Sequence, residues 1–129
     1  MTTAIDLESA LAENTTFLEG RTRLTDTTGY FTRLADYRDG GIFAAGFSGV
    51  SQWERHNTGD EIVQVLKGAA TLTMKISGGE EKLALEAGTI AVVPQGVWHQ
   101  FSAPDGVTIM TTTPQPTEHI PDEQPPLDD

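Results

Sequence analysis

The residues able to do chemistry in this 129-residue chain are few and lie close together in sequence. There are three histidines, His56, His99 and His119, and no cysteine, so any metal must be held by imidazole, carboxylate and water. Around His56 the chain reads Trp53-Glu54-Arg55-His56-Asn57-Thr58-Gly59-Asp60-Glu61. Residues two apart in a strand share a face, so Glu54 and His56 point one way while Trp53 and Arg55 point the other. Asn57 to Asp60 supply turn chemistry, and antiparallel pairing can return Glu61 to the same side. Val63 and Val65 carry that face into apolar core, and Gly68 reads as the end of the strand. In the second segment, Gly88 to His99, a strand is broken by Pro94, Gly96 allows a turn and His99 enters the following strand. Such a set suits metal ligation or proton transfer. Taken singly, Glu54 and Glu61 each read rather as exposed acids on an acidic protein, and His119 in its proline-rich setting reads as structural.

The elements that must position these groups are strands. From Tyr30 onward, short runs rich in Val, Ile, Thr and aromatics are cut by Gly or Pro every eight to twelve residues. Strands are predicted at 30–37, 42–47, 50–56, 61–66, 70–76, 81–85, 90–93, 98–103 and 107–112, with the clearest hairpin at Ser77-Gly78-Gly79. No helical pattern separates them, which excludes parallel βαβ units and leaves an antiparallel all-β double sheet or jelly roll. Ahead of them, Ile5 to Leu18 has the spacing of a short amphipathic helix packing over a sheet edge. The division is therefore 1–29, N-terminal helix and extension; 30–114, β-barrel; and 115–129, acidic tail. That last stretch holds Pro116, Pro121, Pro125 and Pro126 and five acids without a base. Few apolar groups and missing backbone donors predict a tail removable with little loss of stability, or else a strap on a neighbouring subunit anchored by Ile120 and Leu127.

Composition closes several doors. Nineteen acids against eight bases give a net charge of −11, the wrong sign for nucleic acid. No apolar run reaches the length of about 18 residues that spans a bilayer, so no membrane partner is expected. The N-terminus has no basic residue before its weakly apolar start and carries Asp6, unlike a signal or transit peptide, so a cytoplasmic location is expected.

The two histidine segments resemble the cupin superfamily. Its second motif, Gly, five residues, Pro, any, Gly, two residues, His, three residues, Asn, is met by Gly88, Pro94, Gly96 and His99, with Ala103 in place of the Asn. Its first motif is met by His56, Glu61 and Gly68, while Ser48 stands for the leading Gly and Glu54 for the first His. The resemblance spans Ser48 to Ala103 and implies a cupin barrel with one divalent metal inside it. Carried over by position, the ligands would be Glu54, His56, Glu61 and His99. Glu54 departs from the family pattern, and three roles stay open for it: carboxylate ligand, base holding a metal-bound water, or mark of a site without metal. Two neutral imidazoles and two carboxylates around a divalent ion sum to zero charge rather than the family's +1, and favour Fe, Mn or Zn over Cu on hardness. Two His plus a carboxylate is also the non-haem iron triad.

The resemblance thus implies a metal-dependent enzyme acting on a small oxygen-bearing metabolite, by dioxygenase, isomerase, lyase or decarboxylase chemistry, with Glu54 or Glu61 moving protons. The alternatives are a non-catalytic cupin that binds a small molecule or metal, and a metal-free isomerase using His56 and a Tyr. By strand parity Gln52 joins the pocket beside Glu54, and Phe101 joins it beside His99. Phe47, Tyr30, Arg33 and Met110 are weaker candidates for the lining. Trp53, Trp98 and Gln100 fall on the opposite face, where a second sheet or a subunit contact should cover the two indoles, and a homodimer is expected.

Overall fold

The computed structural model describes residues 4–126. It is mostly β, with one short helix, α1 (Leu7–Asn14), followed by nine strands: β1 (Phe17–Arg21), β2 (Thr32–Tyr37), β3 (Gly40–Val50), β4 (Trp53–His56), β5 (Glu61–Ile76), β6 (Gly79–Glu86), β7 (Ile90–Val93), β8 (His99–Pro114) and β9 (Thr117–Ile120). Asp6 caps α1 by accepting from the Ser9 amide at 3.4 Å. The helix stops before the β-branched Thr15 and Thr16 rather than running on to Leu18. Leu18 instead turns its side chain into the core from β1, which lies parallel to β3.

The spine is β8, which pairs antiparallel with β3, β4 and β5. Pairs of strands expected to be separate merge into the long β5 and β8. Gly68 does not end its strand: at a φ of +73° it bends β5 through an irregularity between Gly68 and Thr71, opposite Pro104 and Gly106 on β8. The Ser77-Gly78 turn joins β5 to β6, with Ile76 paired to Gly79. The mostly β, largely antiparallel architecture is as expected; all nine strands belong to one branched sheet whose hydrogen-bonded ladder does not close into a barrel. Alternate residues of β3, β5, β7 and β8, among them Phe47, Val63, Val65, Leu72, Val93, Phe101, Val107 and Ile109, form a single apolar core.

The C-terminal segment differs most from expectation. Within the described residues it is not a tail: Thr117–Ile120 form β9, antiparallel to β4, with Trp53 paired to Ile120 and His56 to Thr117. Between Pro116 and Pro121 lies a run of four residues with intact amides, enough for an edge strand. Beyond it, the Trp53 indole donates to the Glu123 carbonyl at 2.9 Å, Arg55 pairs with Glu118 at 2.8 Å, and Pro125 is buried. This chain's own C-terminal segment therefore helps cover Trp53, where a second sheet or a subunit contact was expected. Ile120 anchors within its own chain, and Leu127 lies outside the described residues.

Ladder hydrogen bonds are worth about 1 kcal/mol each, and a kcal/mol shifts the midpoint of a domain this size by about 4 °C. Truncation after Pro114 should therefore lower the thermal midpoint by roughly 10 °C, read by calorimetry; a midpoint unchanged within a degree or two would show that β9 contributes nothing to stability.

Candidate metal centre

Three adjacent strands assemble the centre. On β4, Glu54 and His56 share a face; Glu54 is paired across to His99 on β8 and on its other side to His119 on β9. One ligand atom from each of Glu54, His56 and His99 lies within 4.8 Å of the others. Glu61, at the start of β5, sends Oε1 to 3.4 Å from His56 Nε2 and 3.1 Å from His99 Nε2. The four residues carried over from the motifs thus converge. His56, His99 and Glu61 are buried, and Glu54 is half-buried.

Polar contacts fix how these groups face one another. The Val97 carbonyl lies 3.0 Å from His99 Nδ1 and can only accept, so Nδ1 carries the proton and neutral His99 presents a lone pair at Nε2. Thr117 Oγ1 holds His56 Nδ1 at 3.1 Å, and Thr113 donates its hydroxyl to Glu61 Oε2 at 2.7 Å. With neutral imidazoles, His56 Nε2, His99 Nε2 and Glu61 Oε1 are buried atoms without a hydrogen-bond partner. Lone pairs facing one another in a dry site require a proton or a cation between them. Burial alone would raise the Glu61 pKa, but where a proton fills the gap, hydrogen bonds from His56 and His99 outweigh burial and hold the carboxyl at about 2. Burial likewise opposes charge on His99, yet Glu61 and, more weakly, Glu54 raise its pKa above the ordinary 6.5.

A metal fits this donor set. Atoms bound to one ion at about 2.1 Å and a right angle apart sit about 3 Å from each other, close to the separations of Glu61 from the two imidazoles. Each imidazole is also oriented through its other nitrogen, as metal-bound histidines are.

Beside the centre opens a cavity of about 330 Å³. Glu54, His56, Glu61, Phe101, Thr111 and Thr113 line it, together with Arg21, Phe31, Phe43 and His119. Phe101 is thus where strand parity put it. Gln52 is not among the lining residues, because its amide donates to the Arg23 carbonyl at 2.9 Å. Phe47 is in the core and Tyr30 packs against it. Arg33 pairs with Asp36 at the surface. Met110 has the opposite parity to the lining residues Ile109, Thr111 and Thr113. The indoles of Trp53 and Trp98 are buried away from the cavity under the cations of Lys75 and Arg55, at 5.4 and 4.5 Å, and Gln100 binds the Ser51 carbonyl.

Sequence reasoning passed over Arg21, Thr111, Thr113, Thr117 and His119. The period-two run Ile109, Thr111, Thr113 was a usable signal for two of them. Nothing marked Arg21, which sits in the link between helix and first predicted strand. Only about 4% of it is exposed; its guanidinium lies 4.7 Å from the Phe47 ring centroid and 5.6 Å from that of Phe31. Burial lowers its pKa and the Glu54 charge opposes that, while arginine stays protonated throughout. No described helix is long and apolar enough to cross a membrane.

Solved structures with the same fold include a cupin-2 domain containing protein from Shewanella frigidimarina, 22% identical over 86% of this chain and 94% of that one, with a TM-score of 0.61. Hydroquinone 1,2-dioxygenase from Sphingomonas sp. TTNP3, with 4-hydroxybenzoate bound, is 17% identical over 64% of each chain, with a TM-score of 0.57. Oxalate oxidase in complex with the substrate analogue glycolate is 19% identical, with a TM-score of 0.54; the match covers 71% of this chain and 53% of that one. No curated protein matches. The cupin domain family matches residues 43–112, more than half of the chain and the whole stretch that holds Glu54, His56, Glu61 and His99, so the chain belongs to the cupin domain family.

Proposed function

We propose that this protein is a metal-dependent cupin enzyme acting on a small oxygen-bearing metabolite, with His56, His99 and Glu61 holding one divalent ion and Glu54 beside them. The observation that carries this reading is the set of three buried, mutually facing acceptor atoms, His56 Nε2, His99 Nε2 and Glu61 Oε1. When bound, the ion would supply Lewis-acid polarisation of a substrate oxygen. The chain's residues do the rest. Thr113 holds Glu61 in one orientation through Oε2, and a carboxylate committed to the ion is a poor proton carrier. Glu54 is half-buried, lines the cavity and is free of such a clamp, so its carboxylate is the group placed to take and return a substrate proton. Two solved structures of this fold are a dioxygenase and an oxidase, which favours oxidative chemistry with Fe or Mn over a Zn-dependent lyase or isomerase.

Protein purified without chelator should hold about one divalent ion per chain, measured by elemental analysis, and His56→Ala, His99→Ala and Glu61→Gln should lose it. Glu54→Gln should keep the metal while turnover drops by about 10²- to 10⁴-fold. Loss of metal in Glu54→Gln, with Glu54→His retaining it, would make Glu54 a ligand instead. Turnover is to be sought as oxygen uptake with Fe²⁺ and as anaerobic conversion with Zn²⁺ or Mn²⁺. Metal loading with no turnover under any of these would leave a binding protein.

The pH dependence of stability should differ in sign between the two forms. Without metal, Glu61 has a folded pKa of about 2 against an ordinary 4.5, so its contribution is complete above the latter and lost as pH falls toward the former. His99, raised above 6.5, contributes below that value and loses its contribution as pH rises through its folded pKa. The metal-free chain is therefore most stable between about pH 4.5 and 6.5. Metal needs neutral imidazoles, so its stabilisation grows as pH rises, reaching about 2.7 kcal/mol at a hundredfold excess over Kd. The gap in melting temperature between metal-loaded and chelated protein should be several degrees wider at about pH 8 than at about pH 5.5. A gap independent of pH would count against imidazole ligation.

A further inference from the structure

Among the described residues, one lysine or arginine side chain lines the cavity opposite the carboxylates, Arg21. Its side chain reaches the cavity from β1, and its Nε is buried with no hydrogen-bond partner. No carboxylate among the described residues forms an ion pair with it, although Glu54 is near enough to act on it through its charge. Its position is built in: Gly49 on β3, with a φ of +102°, faces Arg21 so closely that any Cβ there would collide with the Arg21 carbonyl oxygen. The rings of Phe47 and Phe31 satisfy the cation in part, but aromatic faces give a guanidinium no acceptor for its N–H groups.

From this geometry we infer that Arg21 anchors the carboxylate of a small organic monoanion whose apolar body lies against Phe31, Phe43, Phe101 and Ile109. Arginine presents a planar fork of donors matched to a carboxylate, and in a dry cavity such a pair is charge-assisted. The charge balance points to the same class. The single guanidinium is neutralised by one carboxylate, whereas a phosphate dianion would overshoot it. Apart from Arg21, the ionisable groups on the wall among the described residues are Glu54, Glu61, His56 and His119. The anchor deepens the metal-enzyme reading by naming its substrate class; as a binding site it does not require the metal.

Benzoate and its uncharged counterpart benzamide are the probes, titrated calorimetrically into chelated and metal-loaded protein. Benzoate should bind at least about tenfold tighter than benzamide in both forms, the size expected for a charge-assisted pair. Arg21→Met, which keeps the length and apolar stem, should bring the two probes within about twofold while leaving metal content unchanged, and Arg21→Lys should fall between. Equal affinities in the unaltered protein, selectivity surviving in Arg21→Met, or no binding of either probe at millimolar concentration would each overturn the anchor. Should Arg21→Met not fold, the benzoate to benzamide ratio of the unaltered protein and its Arg21→Lys variant decides. A chain that holds no metal yet selects benzoate would refute the metal reading alone; a chain that loads metal and binds both probes alike would refute the anchor alone.

Discussion

The structure turns on one buried charge. Glu61 is almost fully enclosed, and an isolated carboxylate there would be neutralised by a large upward shift of its pKa. It is instead kept anionic by a threonine hydroxyl on Oε2 and, in the metal-free chain, by a proton carried on the imidazoles that face Oε1. Each of those partners comes from a different place: His56 from β4, His99 from the start of β8 and Thr113 from the far end of β8. The irregularity at Gly68 and the pairing of β5 with β8 along two stretches are what let one strand contribute at both ends. A fold that failed to bring these segments together would bury an unpaired carboxylate, so the polar centre and the sheet depend on each other.

Much of this was legible because it is local. The parity of Glu54 and His56, the turn after them and the Pro94-Gln95-Gly96 break before His99 each need only a few residues to read, and all four motif-derived residues meet in space. Phe101 followed from the same parity. Register over longer distances was less readable. Gln52 was assigned to the cavity by counting from Glu54 and His56, and Met110 was a weaker candidate without a register of its own. A bulge or a side-chain contact elsewhere undoes such counting: the register between β3 and β8 shifts between Phe47 and Gly49, and Gln52 spends its amide on the Arg23 backbone. Gly68 misled as a strand end for a related reason, since a glycine at positive φ can bend a strand without ending it.

The C-terminal segment shows how composition can hide a strand. Acids and prolines dominate it, and averaged over fifteen residues it resembles a solvated tail. Four consecutive residues with intact amides suffice to pair with β4, and the acids find Arg55 and Asn57 as partners through Glu118. Pairing with an edge that already exists needs far less local propensity than forming structure alone. His119, read as structural, faces the cavity because it shares the parity of Thr117 on that strand.

The motif-bearing stretch and the residues that give the cavity its character are separate parts of the chain. Residues 43–112, matched by the family, contain both imidazoles and both carboxylates. Arg21, Phe31, Thr113 and His119 lie outside it, on segments that precede β3 or follow the matched region. A shared core of this kind fixes where a metal can sit and how its ligands are oriented, and it says little about what approaches the metal. In this chain Glu54, standing where the family pattern has a histidine, adds a negative charge beside the two imidazoles and Glu61, and the N-terminal strand supplies a guanidinium facing the same cavity. The two charges lie on different walls without forming an ion pair, so the guanidinium is left to act on whatever else the cavity holds.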